Sequence, residues 1–201
     1  MRGRDPAPKV IVVSSSSKKA GKSTLAAYLV RELGAASAIK VSAGGTHPTG
    51  DTVVTDPGRL AAPGTDTAAL LDAGAKKVAW VNTSREQVGA GLARAIKGMP
   101  GGLLVIEGNS AVENIRPDFN VFLMAVPFEE FKPSATVALS EADLVLVDRS
   151  GALGELELRE LKKEIRAKAP RAEQLFYRAP RDRELAFEKA ARHVRESLGL
   201  S

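Results

Sequence analysis

Short apolar runs alternate along the chain with longer stretches that place an apolar residue at every third or fourth position. Unbroken aliphatic runs are typical of strands buried on both faces of a sheet. The runs that predict strands are residues 10–13, 38–41, 78–81, 103–106, 120–126 and 144–147. Helical spacing occupies residues 22–33 and 65–73 and resumes after Ser84, which we expect to cap its helix. This alternation predicts an α/β three-layer sandwich with a mostly parallel sheet.

Two segments depart from the alternation. Residues 42–64 are rich in Gly, Thr, Pro and Asp without any period, and loops of that length in a compact domain are usually functional or mobile. After Ser150 the chain is charged and helical in pattern, with an apolar face formed by Phe187, Ala190, Ala191, Val194 and Leu198. We therefore expect an α/β domain over residues 1–150 and a charged helical C-terminal segment over residues 151–201, packed on the same domain.

The segment between the first strand and the first helix carries the strongest motif. Residues 16–24 match the phosphate-binding loop (P-loop) G-x-x-x-x-G-K-[ST], except that Ser16 replaces the first glycine. Serine is acceptable there only if it avoids a positive φ. Backbone amides and the helix N-terminus would hold a phosphate, Lys22 would reach the β- and γ-oxygens, and Ser23 would bind Mg²⁺. The predicted nucleotide-binding residues are Ser16, Ser17, Lys18, Lys19, Ala20, Gly21, Lys22, Ser23 and Thr24.

An alternative interpretation makes this segment a plain glycine turn, with Lys18 and Lys19 solvated. The apolar strand before the motif and the amphipathic helix after it favour the P-loop. We therefore expect the P-loop NTPase fold and a Mg²⁺-dependent nucleoside triphosphate site.

A carboxylate should hold or orient the Mg²⁺ beside Ser23. Glu107 is the best candidate because it ends a strand, and open α/β sheets bind ligands at the carboxyl ends of their strands. The alternative is a solvated turn glutamate. Asn109 and Ser110, in the same loop, either hold substrate or water or simply form the turn.

Further candidates lie in or beside the long loop. Asp51, Asp56 and Asp66 offer carboxylates to a metal or a nucleophile, although each is also suited to a turn, and Asp66 to capping the next helix. Lys40, inside an apolar strand, either points toward phosphate or extends to solvent from an edge. The predicted catalytic residues are Lys22, Glu107 and Asp66. The predicted metal ligands are Ser23, Glu107 and Asp51.

The sequence contains no clear motif for recognition of the nucleotide base. Guanine-specific P-loop proteins often carry Asn-Lys-x-Asp after a late strand, and Asp148 has that position without the other residues. The choice between GTP and ATP stays open on this basis.

Composition narrows the function. The net charge is +5 with a pI near 9.6, which attracts polyanions. Aromatic residues are 4% of the chain and supply few stacking partners, so we expect no nucleic-acid partner. Cysteine is absent, which excludes disulfides and thiolate metal sites. No apolar run has the length of a membrane span or a signal core, so we expect a cytoplasmic protein without membrane contact.

Over residues 8–125 the sequence resembles the molybdopterin-guanine dinucleotide biosynthesis protein B (MobB) family. The resemblance rests on the P-loop unit, on Ala-Ile-Lys-Val at residues 38–41, on Pro-Gly-Thr-Asp-Thr-Ala-Ala-Leu-Leu-Asp-Ala-Gly-Ala at residues 63–75, and on Leu-Val-Ile-Glu-Gly at residues 104–108. It departs from the family at Ser16 and at residues 42–48. The resemblance implies a Mg²⁺-dependent GTP site, a homodimer and a supporting role, with a partner enzyme, in attaching a nucleotide to the molybdenum cofactor.

Two functions follow as expectations. The first is Mg²⁺-dependent binding and slow hydrolysis of a nucleoside triphosphate, with GTP implied by the resemblance, in support of molybdenum cofactor biosynthesis. The alternative is a P-loop kinase or ligase that transfers the γ-phosphoryl group to an acceptor held by residues 42–64.

Overall fold

A computed structural model describes residues 7–18, 20–44, 53–126, 131–151 and 153–200. Its strands are β1 (Lys9–Ser15), β2 (Ser37–Ala43), β3 (Val53–Val54), β4 (Lys77–Thr83), β5 (Leu103–Glu107), β6 (Phe119–Ala125), β7 (Leu144–Asp148) and β8 (Glu173–Tyr177). Its helices are α1 (Lys22–Leu33), α2 (Pro57–Leu60), α3 (Asp66–Asp72), α4 (Val88–Lys97), α5 (Asn109–Val112), α6 (Pro133–Ser140), α7 (Glu155–Lys168) and α8 (Arg183–Leu198).

Within these residues the strands form one sheet in the order β3-β4-β2-β5-β1-β6-β7-β8. Every neighbouring pair is parallel except the antiparallel pair of β3 and β4. The central strands are apolar and buried on both sides because helices cover both faces. Helices α1, α3 and α8 pack on one face, and α4, α5, α6 and α7 pack on the other. The predicted α/β three-layer sandwich is therefore confirmed.

The parallel strands place their carboxyl ends at one edge of the sheet. The carboxyl ends of β1, β2, β5, β7 and β8 therefore lie together there. Because β1 lies between β5 and β6, its following loop is flanked by the ends of both strands. This edge is where open α/β sheets bind their ligands.

The segment after Ser150 differs in part from its prediction. Helices α7 and α8 are present, and α8 buries Phe187, Ala190, Ala191 and Val194 as its apolar face indicates. The segment also contains a strand that was not predicted, because β8 pairs in parallel with β7. This edge strand is partly exposed and begins with Glu-Gln, so it lacks the apolar run that predicted the other strands. The division of the chain at residue 150 stays a prediction.

Four smaller elements were also not predicted. The two residues of β3 are too few for a periodic signal, and α2, α5 and α6 are short. Ser84 precedes a short 3-10 turn (Arg85–Gln87) and makes no side-chain cap there, so the expected Ser84 cap was wrong. Among the described residues, no helix combines the length and the apolar character needed to cross a bilayer.

Candidate phosphate-binding site

The loop between β1 and α1 has a backbone that depends on glycine. Gly21 precedes the first turn of α1 with φ 93° and ψ 19°, a left-handed conformation that residues with a side chain rarely adopt. No residue other than glycine has a positive φ in the described part of the chain, so Ser16 meets the condition set for it. Residue 19, the predicted phosphate contact Lys19, lies outside the described residues.

The start of the loop is fastened to the ends of both neighbouring strands. The Ser16 amide donates to the Leu123 carbonyl at 2.9 Å on the β6 side. On the β5 side, the Ser15 amide donates to Asn109 Oδ1 at 2.9 Å, and Asn109 Nδ2 donates to the Ser15 carbonyl at 2.8 Å. The structure therefore gives Asn109 a role that was not among those considered above. Its side-chain amide holds the start of the loop at two points, and we call this pair of hydrogen bonds the clamp.

Lys22 folds back over the loop. Its Nζ donates to Ser15 Oγ at 2.7 Å and to the Ser17 carbonyl at 3.3 Å, which keeps the ammonium above the segment that would surround a phosphate. Burial lowers the pKa of Lys22; the nearby Glu107 carboxylate opposes that shift and the Lys40 ammonium reinforces it. A lysine so placed gains from an incoming anion that replaces these neutral acceptors.

Beside this lysine lies a cluster of charged and hydroxyl groups. Glu107 Oε1 accepts from Ser23 Oγ at 2.9 Å and from Lys40 Nζ at 2.7 Å. Lys40 Nζ also meets Asp66 Oδ2 at 2.5 Å. The cluster therefore joins the first turn of α1, the strands β2 and β5, and the start of α3.

Glu107 is 1% exposed, so it is not a solvated turn residue. The following Gly108 has φ 146°, and a Cβ there would lie 2.9 Å from the Val41 carbonyl oxygen. Only glycine lets the chain turn at this point against the end of β2. Glu107 is thus the last residue of β5 and directly faces the P-loop helix.

Lys40 and Asp66, which lie on the outer side of the cluster, stabilise each other's charged form. Burial alone would lower the pKa of Lys40, but Glu107 and Asp66 together raise it. Burial alone would raise the pKa of the Asp66 carboxyl, but hydrogen bonds from Lys40 and Ser23 hold it below its usual range.

The N-terminal cap of α3 is Thr65, whose side chain accepts a hydrogen bond from the Ala68 amide. The capping role considered for Asp66 was therefore wrong.

The donor set fits Mg²⁺. Ser23 offers a hydroxyl, and Glu107 and Asp66 offer carboxylate oxygens, which are the ligands that this ion prefers. Glu107 Oε2 is buried and has no hydrogen-bond partner in the described part of the chain. The described residues hold no metal-binding group of three or more His, Cys, Asp or Glu side chains, and Mg²⁺ typically uses one or two carboxylates together with phosphates. Asp51, the third predicted ligand, lies outside the described residues.

A cavity of about 530 Å³ adjoins the loop and has the size of a small-ligand site. Its lining includes Ser23, Thr24, Tyr28, Pro180, Arg183 and Phe187. Tyr28, Pro180 and Arg183 were not predicted as site residues, because they come together with the phosphate loop only through tertiary packing. A larger cavity of about 660 Å³ opens at the opposite edge of the sheet, near Asp118 and Asp143, away from this chemistry.

Asp148, considered above for base recognition, fastens two loops together. Its Oδ1 accepts from the Ser150 amide at 3.0 Å, from Ser150 Oγ at 2.5 Å and from the Ala179 amide at 3.2 Å. The loops after β7 and β8 are therefore joined near the cavity. Asp56 lies outside the cluster and caps α2 by accepting from the Arg59 amide.

A strand, a glycine-bearing loop and a helix that carries Lys22 and Ser23, set in a parallel sheet covered by helices on both faces, define the P-loop NTPase fold. Two solved structures share it. HypB from Helicobacter pylori, in complex with nickel, is 14% identical, with a TM-score of 0.59 over 94% of this chain and 86% of that chain. The hydrogenase maturation factor HypB from Archaeoglobus fulgidus is 13% identical, with a TM-score of 0.58 over 94% of this chain and 90% of that chain.

No protein-family model matches the sequence, and the search of curated proteins gave no significant match. At these identities the likeness to HypB concerns the fold. It supports the P-loop NTPase fold and does not single out the MobB family.

Proposed function

We propose that this protein binds a nucleoside triphosphate with Mg²⁺ and hydrolyses it. The observation that carries the proposal is the contact between Ser23 Oγ and the buried Glu107 carboxylate at 2.9 Å. It brings the hydroxyl of a G-K-[ST] motif against a strand-end carboxylate, the pairing from which P-loop NTPases build their Mg²⁺ site. The orphan Glu107 Oε2 supplies a free acceptor there.

Different groups of the chain would bind the phosphates and the metal. The loop amides and Lys22 would bind the phosphates, and Ser23, Glu107 and Asp66 would hold the metal or its water ligands. Mg²⁺ bound there would neutralise charge that develops on the phosphoryl oxygens. Hydrogen bonds from Lys40 and Ser23 lower the pKa of Asp66, so its carboxylate is ionised and suited to binding the metal or orienting a water molecule.

The test is the replacement Lys22→Ala. We expect affinity for the triphosphate to fall about 10- to 100-fold, because charged hydrogen bonds to phosphate are lost. Titration of a fluorescent GTP or ATP analogue, with and without Mg²⁺, measures it. Lys163→Ala is the control, since that exposed lysine bonds Glu160 on α7 and should leave affinity unchanged. Equal affinity of Lys22→Ala and the unchanged protein would refute the proposal.

We propose GTP as the preferred nucleotide, and support of molybdenum cofactor biosynthesis, with a partner enzyme and a homodimer in the cytoplasm, as the biological role. The resemblance to the MobB family supports this refinement, and the cavity beside Thr24 offers space for a base. Calorimetric titration with GTP and with ATP tests it, and tighter binding of ATP would remove the assignment. The proposed role does not extend to nickel. The chain has no cysteine and contains two histidines, and Nδ1 of one of these, His193, lies 3.1 Å from a carboxylate oxygen of Glu173.

A second candidate is phosphoryl transfer to a small acceptor. The observation that favours it is the position of Asp66, which follows the long loop directly and reaches Lys40 in the site. An acceptor held by residues 42–64 would therefore lie near the γ-phosphate; of these, residues 45–52 lie outside the described part of the chain. Product analysis distinguishes the two candidates, because hydrolysis releases free phosphate and transfer yields a phosphorylated acceptor.

A further inference from the structure

Lys40 occupies an unusual place for a lysine. It lies within β2, a strand of the sheet interior, and is paired in register with Glu107 of β5. Residues paired across parallel strands direct their side chains to the same side of the sheet. The Lys40 side chain, 16% exposed, consequently ends against the carboxylates rather than in solvent.

The ammonium of Lys40 is shared between two carboxylates. It lies 2.7 Å from Glu107 Oε1 and 2.5 Å from Asp66 Oδ2. The first of these oxygens is also the acceptor of Ser23 Oγ. Three groups that would serve Mg²⁺, Ser23, Glu107 and Asp66, are thus gathered around one internal cation.

We propose that Lys40 is a counter-cation that takes the place of the metal in the nucleotide-free protein. The inference rests on the proposed function, in which these same oxygens hold Mg²⁺. Lys40 holds the two carboxylates together and offsets part of their negative charge, so that the free ion has little to gain by binding alone. A triphosphate brings negative charge to Lys22 and Lys40 and so releases the carboxylates to the metal. Metal binding is therefore coupled to nucleotide binding.

Removal of the internal cation gives the sharpest test. In Lys40→Met two carboxylates remain without their shared partner, one of them fully buried, which is a strongly unfavourable arrangement unless a cation enters. We expect Mn²⁺ alone, titrated without nucleotide and followed by electron paramagnetic resonance, to bind Lys40→Met at least tenfold more tightly than it binds the unchanged protein. Mg²⁺ alone should raise the melting temperature of the variant and leave that of the unchanged protein where it was.

Two further variants identify the cause. Lys163→Met also removes a lysine bonded to a carboxylate, on the exposed side of α7, and should not change Mn²⁺ affinity. Lys40→Met combined with Glu107→Gln removes the buried charge as well, and should return Mn²⁺ affinity to the original weak level. A merely structural role for Lys40 would not raise metal affinity in the single variant.

Folding of the variant is itself informative. If Lys40→Met folds only when Mg²⁺ or Mn²⁺ is present and unfolds on chelation, the counter-cation role is supported. Mn²⁺ affinity that stays unchanged or falls in Lys40→Met, or failure to fold even with metal, would overturn it. Tight binding of Mn²⁺ alone by the unchanged protein would overturn it as well.

The proposed function stands or falls separately. The Mn²⁺ titration contains no nucleotide, so it measures only the affinity of the carboxylate pair for the metal. The Lys22→Ala experiment measures triphosphate affinity. A gain of metal affinity in Lys40→Met combined with no triphosphate binding by the unchanged protein would leave the cation exchange standing and refute the NTPase proposal.

Discussion

Among the residues of the site, Asn109 supports the phosphate loop without belonging to it. Both ends of its amide bond the Ser15 backbone, one donating and one accepting, which fixes how β1 passes into the loop. A carboxylate at this position cannot donate, and a leucine can do neither. Residue identity at position 109 therefore matters for loop geometry.

We predict that Asn109→Ala weakens triphosphate binding about fivefold and lowers the free energy of unfolding by about 1–2 kcal/mol, because two backbone groups lose their partner. Nucleotide titration and urea unfolding measure the two effects. Asn114→Ala is the matched control, since Asn114 Nδ2 bonds only the exposed Ser110 carbonyl among the contacts described. Equal effects of the two replacements would show that the clamp is unimportant.

At the scale of elements, the junction of β1 and α1 depends on backbone conformation more than on side-chain contacts. Gly21 lies in the left-handed region, yet a Cβ there would come no closer than 3.8 Å, at Leu123, to any described atom outside its two chain neighbours. The obstacle to a side chain is thus the dihedral angle and not the available space. Any other residue would shift the amides that precede α1.

We predict that Gly21→Ala costs about 1–2 kcal/mol of stability from the left-handed conformation and reduces triphosphate affinity, since relief of the strain moves the loop amides. Thermal unfolding and nucleotide titration check this. Gly154→Ala is a suitable comparison, because Gly154 precedes α7 in the same way with φ −70°. That replacement should change stability by less than about 0.5 kcal/mol; a similar loss in both variants would contradict the explanation.

The sequence predicted those elements whose signal is local. The motif located the loop and α1, and apolar runs located the buried strands. β8 was missed because an edge strand needs no continuous apolar run, and its pairing with β7 is a long-range contact. The sequence alone does not decide the roles of Lys40 and Asn109 for a related reason. They depend on the register of β2 with β5 and on the order of strands around β1, which a single sequence does not specify.

Over the whole molecule, α8 closes the sheet face that carries α1. Phe187 is 3% exposed and packs edge-on against Tyr28 of α1 at 5.6 Å and Tyr177 of β8 at 6.4 Å between ring centroids. The final helix is therefore part of the main core. It also lines the cavity beside the phosphate loop.

We predict that Phe187→Ala lowers the free energy of unfolding by about 3–5 kcal/mol, through lost burial and the cavity left behind. Chemical denaturation measures it. Leu185→Ala, two residues away on the same helix and 51% exposed, should change stability by no more than about 0.5 kcal/mol. If both variants unfolded at the same denaturant concentration, α8 would not be packed as described.

The last turn of α8 is hydrogen-bonded to the C-terminal end of α1 and to the start of β1. Arg195 donates to the Glu32 carbonyl, and Lys9 Nζ donates to the Leu198 carbonyl at 2.6 Å. Glu32 lies ten residues after Lys22 on α1, about 15 Å along the helix axis. Because the chain has no cysteine, Glu196→Cys on the exposed side of this turn would give a single thiol for a dye or a surface tether, remote from the proposed nucleotide and metal site. A protein labelled or tethered at this position could be observed as single molecules without the label blocking access to the proposed site.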